Sequence, residues 1–169
     1  MKPAPINLVE YFATDLSLVT NRAFVPDKPV QFVEGEFHVD VVLARNEKTD
    51  QTLNCWQVTL DVRHQTSPGT NFPYSYRVVL VGRFSVSPYV VNEDEERTVR
   101  IQGASVLYGM TREIVRALTG RGPYRPVILP TVSFYEPKTQ TAPELPPEPT
   151  TGTPAKTSPR RKGRTKAAS

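Results

Sequence analysis

The stretch Gly103–Phe134, GASVLYGMTREIVRALTGRGPYRPVILPTVSF, decides how the rest of the chain is read. In its first half Val106, Leu107, Met110, Ile114, Val115 and Leu118 recur at steps of three and four, with Arg112, Glu113 and Arg116 on the other side. That spacing predicts one amphipathic helix, because about 3.6 residues per turn put those apolar positions on a single stripe. Ser105 can cap its start by accepting a hydrogen bond from an unpaired first-turn amide. Gly120, Gly122 and Pro123 end it, since glycine tolerates a left-handed helix end and proline cannot continue the ladder. Gly109 sits inside the helix at a cost of about 1 kcal/mol against alanine. Val127 to Phe134 then reads as extended chain, broken by Pro130.

Upstream of this helix the pattern changes from a period of 3.6 to a period of 2. In Glu36–Ala44, Phe37, Val39, Val41 and Leu43 share one face. In Leu53–Arg63, Trp56, Val58, Leu60 and Val62 do the same, with Gln57, Thr59 and Asp61 opposite. In Tyr74–Phe84, the residues Tyr74, Tyr76, Val78, Leu80 and Phe84 face one way and Arg77 and Arg83 the other. Ile6–Leu18 is apolar enough for a fourth strand but alternates poorly, which suggests a bend. Asn46–Thr52 and Gln65–Asn71 are polar turns of a size to join antiparallel neighbours, and Asn21–Pro29 is a connecting loop. Gly82 within its strand marks a bulge or a close backbone approach. Asn92–Arg97 (NEDEER) is an acidic cluster that could start a short helix, although its run of charges favours a solvated loop. The expected fold is therefore α+β: a four-stranded antiparallel sheet with one main helix packed on one face.

Simple dimensions sharpen this. Four strands about 4.8 Å apart make a face roughly 15 Å wide. One helix is about 10 Å across and, at about 16 residues, about 24 Å long. It cannot cover the whole apolar face, and what stays uncovered is expected to carry aromatics such as Tyr74 and Tyr76. Large bare apolar patches are rare on soluble monomers, so the chain is expected to self-associate, to bind apolar partners, or both.

The charge is placed unevenly along the 169 residues. From Lys138 onward there are seven Lys or Arg and two Glu, net +5, while the remaining 14 basic and 15 acidic residues leave Met1–Pro137 at −1. Beyond Thr139 the composition turns to Pro, Thr, Glu and Lys and ends in SPRRKGRTKAAS. Too little apolar surface remains there to offset the entropy of ordering, so the expected division is a folded domain over 1–137 and a disordered Pro-rich basic tail over 138–169. The single Cys55 excludes an intrachain disulfide and suits a reducing compartment, with a small strand hydrophobe as its simplest role. No run approaches the roughly 20 apolar residues of a membrane span, and the first residues lack a signal-peptide core. The expectation is a soluble cytoplasmic protein with no membrane insertion.

Chemistry-bearing motifs are missing. The glycines around the helix match neither a phosphate loop nor a dinucleotide fingerprint, and no G-x-S-x-G elbow occurs. His38 and His64 are expected at surface or edge positions, without the spacing of a metal site. Neither an enzymatic activity nor a cofactor nor a metal is expected. The run Arg160–Lys166, RRKGRTK, raises a nucleic-acid-binding module as the alternative from another class, but no aromatics interleave it to stack bases. A solvated tail explains it better.

The organising stretch resembles the SecB-type export chaperones. Gly103, Ser105, Leu107, Tyr108, Arg112 and Glu113 follow the family's run into a helix; Arg121, Gly122 and Tyr124 follow its R-G-x-[FY]; Leu129, Pro130 and Phe134 follow its L-x-P-[VT]-x-F. Tyr76–Val86 (YRVVLVGRFSV) and Tyr11–Leu18 (YFATDLSL) are similar to two further family strands, in order, over roughly Ile6–Tyr135. The resemblance implies an ATP-independent holdase that keeps unfolded or nascent polypeptides soluble in apolar grooves, in some relatives as the dedicated chaperone of an antitoxin. It implies a homotetramer built as a dimer of dimers. Carried over position by position, the client groove is floored by Val39, Val41, Tyr74, Tyr76, Val78 and Leu80, with Val78 and Leu80 the most expected to pack beneath the helix. Asp15 matches a carboxylate of the acidic face that docks the SecA motor, but Val19 and Arg77 stand where further carboxylates belong, which weakens that function. Pro137, Pro143, Pro146 and Pro147 exclude the family's C-terminal helix, and a basic tail replaces an acidic one.

Overall fold

The computed structural model describes residues 4–45, 55–90 and 92–135, without the side chains of 92 and 93. The turn expected at Asn46–Thr52, the tail from Lys138 and its basic run lie outside the described residues. The chain divides into two units, Met1–Glu136 and Pro137–Ser169, and everything described belongs to the first.

Four strands form one antiparallel sheet: β1 (Ile6–Thr20), β2 (Phe37–Arg45), β3 (Cys55–His64) and β4 (Tyr74–Val86), in the order β1-β4-β3-β2. The register lines up inner-face rows across it. Leu16, Val78, Val62 and Val39 make one row, and Ala13, Leu80, Leu60 and Val41 the next. Opposed residues share a face, so the period-2 apolar pattern of each strand becomes one apolar surface.

The poor alternation of β1 has a structural cause. Its pairing with β4 slips between Leu8 and Glu10 and again between Ala13 and Asp15. Each bulge inserts one extra residue and reverses the parity of the residues beyond it. Ile6, Leu8, Tyr11, Ala13, Leu16 and Leu18 thus share the inner face at steps of two and three.

The helical rod starts earlier than the sequence suggests. Asn92–Thr98 forms α1, a single π-helical turn spans Val99–Gly103, and Ala104–Thr119 forms α2. The acidic segment expected as a loop is helical, and its Glu95 is buried beside Arg45 at 3.4 Å. Ser105 is not a cap. Gly103 before it is already helical, and the Ser105 hydroxyl donates backwards to the Ile101 carbonyl at 2.6 Å. The buried stripe of α2 is Ala104, Leu107, Tyr108, Thr111, Val115 and Thr119, so the expected stripe is rotated. Thr111 and Thr119 enter it because their hydroxyls bond the Leu107 and Val115 carbonyls one turn back. Val106 is left exposed, and Met110, Ile114 and Leu118 are half-buried.

The rod lies close on the sheet. A Cβ on Gly82 would stand 2.9 Å from Leu107, and one on Gly103 would stand 3.0 Å from Val58. Gly82 therefore marks a close approach of strand and helix. At the other end Gly120 keeps a helical φ of −66°, so the helix does not end left-handed as expected. Gly122 is needed instead because the Tyr74 hydroxyl occupies the place of its side chain.

Cover is uneven across the sheet. Val58, Leu60, Val62, Tyr74, Val78, Leu80 and Phe84 on the two central strands are fully buried. On β1, Tyr11 and Leu16 on the inner face each remain 51% exposed. The lone rod covers the middle of the sheet and leaves its β1 flank bare, as its width requires.

Candidate functional site

After α2 the chain turns back along the rod, and hydroxyl groups from the core pin it. The Tyr74 hydroxyl accepts from the Tyr124 amide at 2.9 Å and lies 3.3 Å from the Thr119 carbonyl. The Thr119 hydroxyl accepts from the Val127 amide at 2.9 Å, and Tyr108 donates to the Pro130 carbonyl at 2.6 Å. Each bond satisfies a backbone group that has no strand or helix partner. Residues 120–130 are thus irregular in form but fixed in place.

Opposite this segment runs the connection from β1 to β2. One side chain secures it: the Asn71 amide donates to the carbonyls of Val25, Lys28 and Pro29, and its oxygen accepts from the Val25 amide. Between the two irregular segments, off the end of the sheet, opens a groove of about 1040 Å³. Phe24, Val30, Phe32, Phe72, Tyr124 and Ile128 supply its apolar walls. Phe24 meets Tyr124 edge to face at 4.7 Å, and Phe32 meets Phe72 at 6.1 Å. Val30, Phe32 and Ile128 stay exposed in it, which is where bare apolar area carries meaning. Asp27, Lys28 and Arg125 provide its charges.

The residues expected to floor a groove lie elsewhere. Tyr74, Val78 and Leu80 are fully buried and Tyr76 is 4% exposed; Val39 and Val41 are half-buried. None of the six lines the groove. Tyr74 acts as a bolt that holds Tyr124, which lines the groove. Val78 and Leu80 lie in the same buried cluster as Leu107 of α2. The groove residues escape a periodicity reading because they sit in Pro-containing segments without repeat, such as FVPDKP at 24–29 and PYRP at 123–126. The signal that could have found them is aromatic residues within loops, where binding residues concentrate.

Asp15 lies on the opposite face of the sheet, 3.3 Å from Arg77, which also holds Asp61 at 2.7 Å. Glu10 with Arg83 and Asp40 with Arg63 complete a face of cross-strand ion pairs.

Behind the aromatic wall lies a polar pair. His64 is buried rather than at the surface, which corrects the expectation, because the period-2 pattern of β3 turns it inward with Val62. Its ring packs on Phe72 at 4.1 Å and on Tyr76 at 5.5 Å, and its Nε2 is 3.6 Å from the Glu36 carboxylate. Burial pushes His64 below its ordinary value against the pull of Glu36. Burial pushes Glu36 up, but hydrogen bonds from Thr70 and Ser67, with His64 nearby, outweigh it and hold the carboxyl below its ordinary range. No cluster of metal-ligating residues occurs among the described residues, nor is any helix there long and apolar enough to cross a membrane.

With this geometry in hand, comparison with known proteins gives a family. The family model of SecB, preprotein translocase subunit SecB, matches residues 2–141. The chain belongs to the SecB family. The SecB-like chaperone Rv1957 of Mycobacterium tuberculosis, solved in complex with a ChAD peptide from the Rv1956 HigA1 antitoxin, is similar in structure. That likeness has a TM-score of 0.50 and 16% identity, covering 76% of this chain and 91% of the other. A protein of unknown function from Streptococcus agalactiae has a TM-score of 0.54 and 10% identity, covering 75% and 97%. At these identities the likeness is one of fold. Among curated proteins, none matches this sequence. The α+β sheet-and-helix fold expected from the sequence is thus that of the SecB family.

Proposed function

We propose that this SecB-family protein is an ATP-independent holdase that binds unfolded or nascent polypeptides in the groove between residues 24–32 and 123–130. The observation that carries the reading is a preformed aromatic groove, fixed by core hydroxyls yet open along its length. Micromolar binding needs about −8 kcal/mol, and each well-buried side chain gives roughly 1.5–3 kcal/mol. Several pockets must act together. The half-buried Val39 and Val41 on the edge strand β2 would offer an extended client further apolar contacts. The bare inner face of β1 and the exposed strand edge beside it fit a second copy of the chain, in line with a dimer of dimers.

Export is the weaker branch of this reading, because Arg77 engages Asp15, the one carboxylate that fits motor docking. Service to an antitoxin is the stronger one, since the structurally similar Rv1957 was solved with an antitoxin peptide. The folded unit over 1–137 would carry out the holding in the cytoplasm, with the tail over 138–169 as a basic appendage. Purified protein at stoichiometric amounts is expected to suppress aggregation of a denatured client, and native mass measurement to show a tetramer that gains client mass. Aggregation at an unchanged rate refutes the reading. Strongly salt-dependent nucleic-acid binding that is lost on deleting 156–169 would favour the nucleic-acid alternative.

A further inference from the structure

Glu36 occupies the junction between the connection that forms one lip of the groove and the turn that precedes β4. Its amide donates to the Val33 carbonyl, and its own carbonyl accepts from the Gln65 amide. One carboxylate oxygen, Oε1, accepts from the Ser67 amide at 2.8 Å and the Thr70 hydroxyl at 2.7 Å. The other, Oε2, has no hydrogen-bond partner among the described residues, while the His64 ring also lies against the Tyr74 backbone. Oε2 and His64 Nε2 face each other at 3.6 Å, beyond a good hydrogen bond. Buried polar groups left unpaired are rare and costly, so a state that pairs them is close at hand.

The ring of His64 is also the backing of the groove. It stacks on Phe72 at 4.1 Å and meets Phe32 at 5.7 Å, and both of those side chains line the groove. A proton on His64 turns both of its nitrogens into donors and makes Nε2 a charge-assisted partner for the unpaired Glu36 oxygen. Such bonds close to about 2.8 Å, so the ring must shift within its contacts with Phe72 and Phe32.

We propose that Glu36 and His64 are a positioning pair behind the groove's aromatic wall, and that protonating His64 slackens Phe32 and Phe72 and weakens the hold on apolar segments. This rests on the reading of the groove as the client site. From β4 the ring meets Tyr76 and the Tyr74 backbone. On the other side of Glu36, His38 and Arg63 line a shallow pocket with it, so His38→Gln is the control for a second imidazole. The turn over 65–71 has no ionisable side chain, and Glu34 is exposed. Asp27 and Lys28 line the groove itself, and Arg63 pairs with Asp40 on the other sheet face.

The test uses the full chain and fluorophore-labelled, reduced and carboxymethylated lactalbumin as the unfolded probe. Between about pH 7.5 and about pH 5.5, wild-type affinity is expected to fall a few-fold, since burial holds His64 below its ordinary value. His64→Phe keeps a ring in the stack and is expected to flatten the pH profile, whatever its affinity at neutral pH. Glu36→Gln keeps an acceptor for Ser67 and Thr70 but loses the charge, and is expected to reduce the pH response. In parallel, ring resonances of Phe32 and Phe72 should shift with the same midpoint as His64. A wild-type pH profile retained by folded His64→Phe, or Phe rings that do not follow the His64 titration, overturns the pair's role. If the wild type binds no probe at either pH, the client reading fails. The pair is then decided by the resonances alone, which also settle the matter if His64→Phe does not fold.

Discussion

Phe72 and Tyr74 are two residues apart and have opposite duties. Tyr74 lies under the end of α2, fully buried, and uses its hydroxyl to tie down the returning chain. Phe72 lies just before β4, is buried as well at 4% exposed, and backs the groove by packing on Phe32, which is 46% exposed in its wall. The difference teaches that the rod's coverage, not aromatic character, decides which residues can touch a partner. Covered aromatics build the frame; uncovered ones past its end form the surface.

The largest effect should come from breaking the frame. Tyr74→Ala removes a buried ring and leaves the Tyr124 amide without its acceptor, and is expected to cost about 3–5 kcal/mol of stability by denaturant unfolding. Tyr74→Phe isolates the hydroxyl and should cost about 1–3 kcal/mol. If Tyr74→Phe is as stable as the wild type, the bolt has no role. Next, Ile128→Ser in the exposed wall should leave stability within about 0.5 kcal/mol while lowering client affinity about tenfold, read by fluorescence titration. An unchanged affinity would remove that wall from the site. On the bare flank, Leu16→Asp is expected to spare the fold of the subunit but dissociate the assembly, visible by native mass measurement.

Acid should act on the seam between frame and surface. His64 is held below its ordinary value in the fold, so its contribution is present above the unfolded value and is lost as pH falls through the folded one. Glu36 is also held low; its contribution is present above the ordinary glutamate range and is lost at still lower pH. Both signs make the wild type less stable as acid is added. His64→Phe should flatten the first step and leave the second, as measured by thermal unfolding across pH. The smallest effect is expected at Asp15→Asn, where an exposed ion pair with Arg77 should be worth about 0.2–1 kcal/mol.

Much of the fold was legible because periodicity speaks directly about faces. The three alternating strands and α2 follow from it, and so does a shortfall in cover, though it falls on Tyr11 and Leu16 of β1 and not on Tyr74 and Tyr76, which are buried. The features that periodicity missed have identifiable causes. The charges of Glu93, Asp94, Glu95 and Glu96 suggested a loop, but burial of Glu95 beside Arg45 supports a helix there. Thr111 and Thr119 read as polar, yet back-bonding to helix carbonyls lets them face the sheet. The site was the least legible part. Phe24, Phe32, Phe72 and Tyr124 lie far apart in sequence and in segments without repeat, and only the pinning by Asn71, Tyr74 and Thr119 brings them together. The strand residues that the family resemblance puts in a groove are buried or half-buried here, one layer beneath the proposed one.

The two slips in β1 bear on a hazard peculiar to such a protein. A molecule with an apolar groove and a long unpaired strand invites strand after strand to stack on it without limit. Because an added residue twice breaks its pleat, that margin offers no straight, evenly spaced template. A newcomer must match both irregularities at once, which a second copy of the same chain can do and a random strand cannot. The irregularity thus guards against fibrous growth while leaving room for one well-fitted mate.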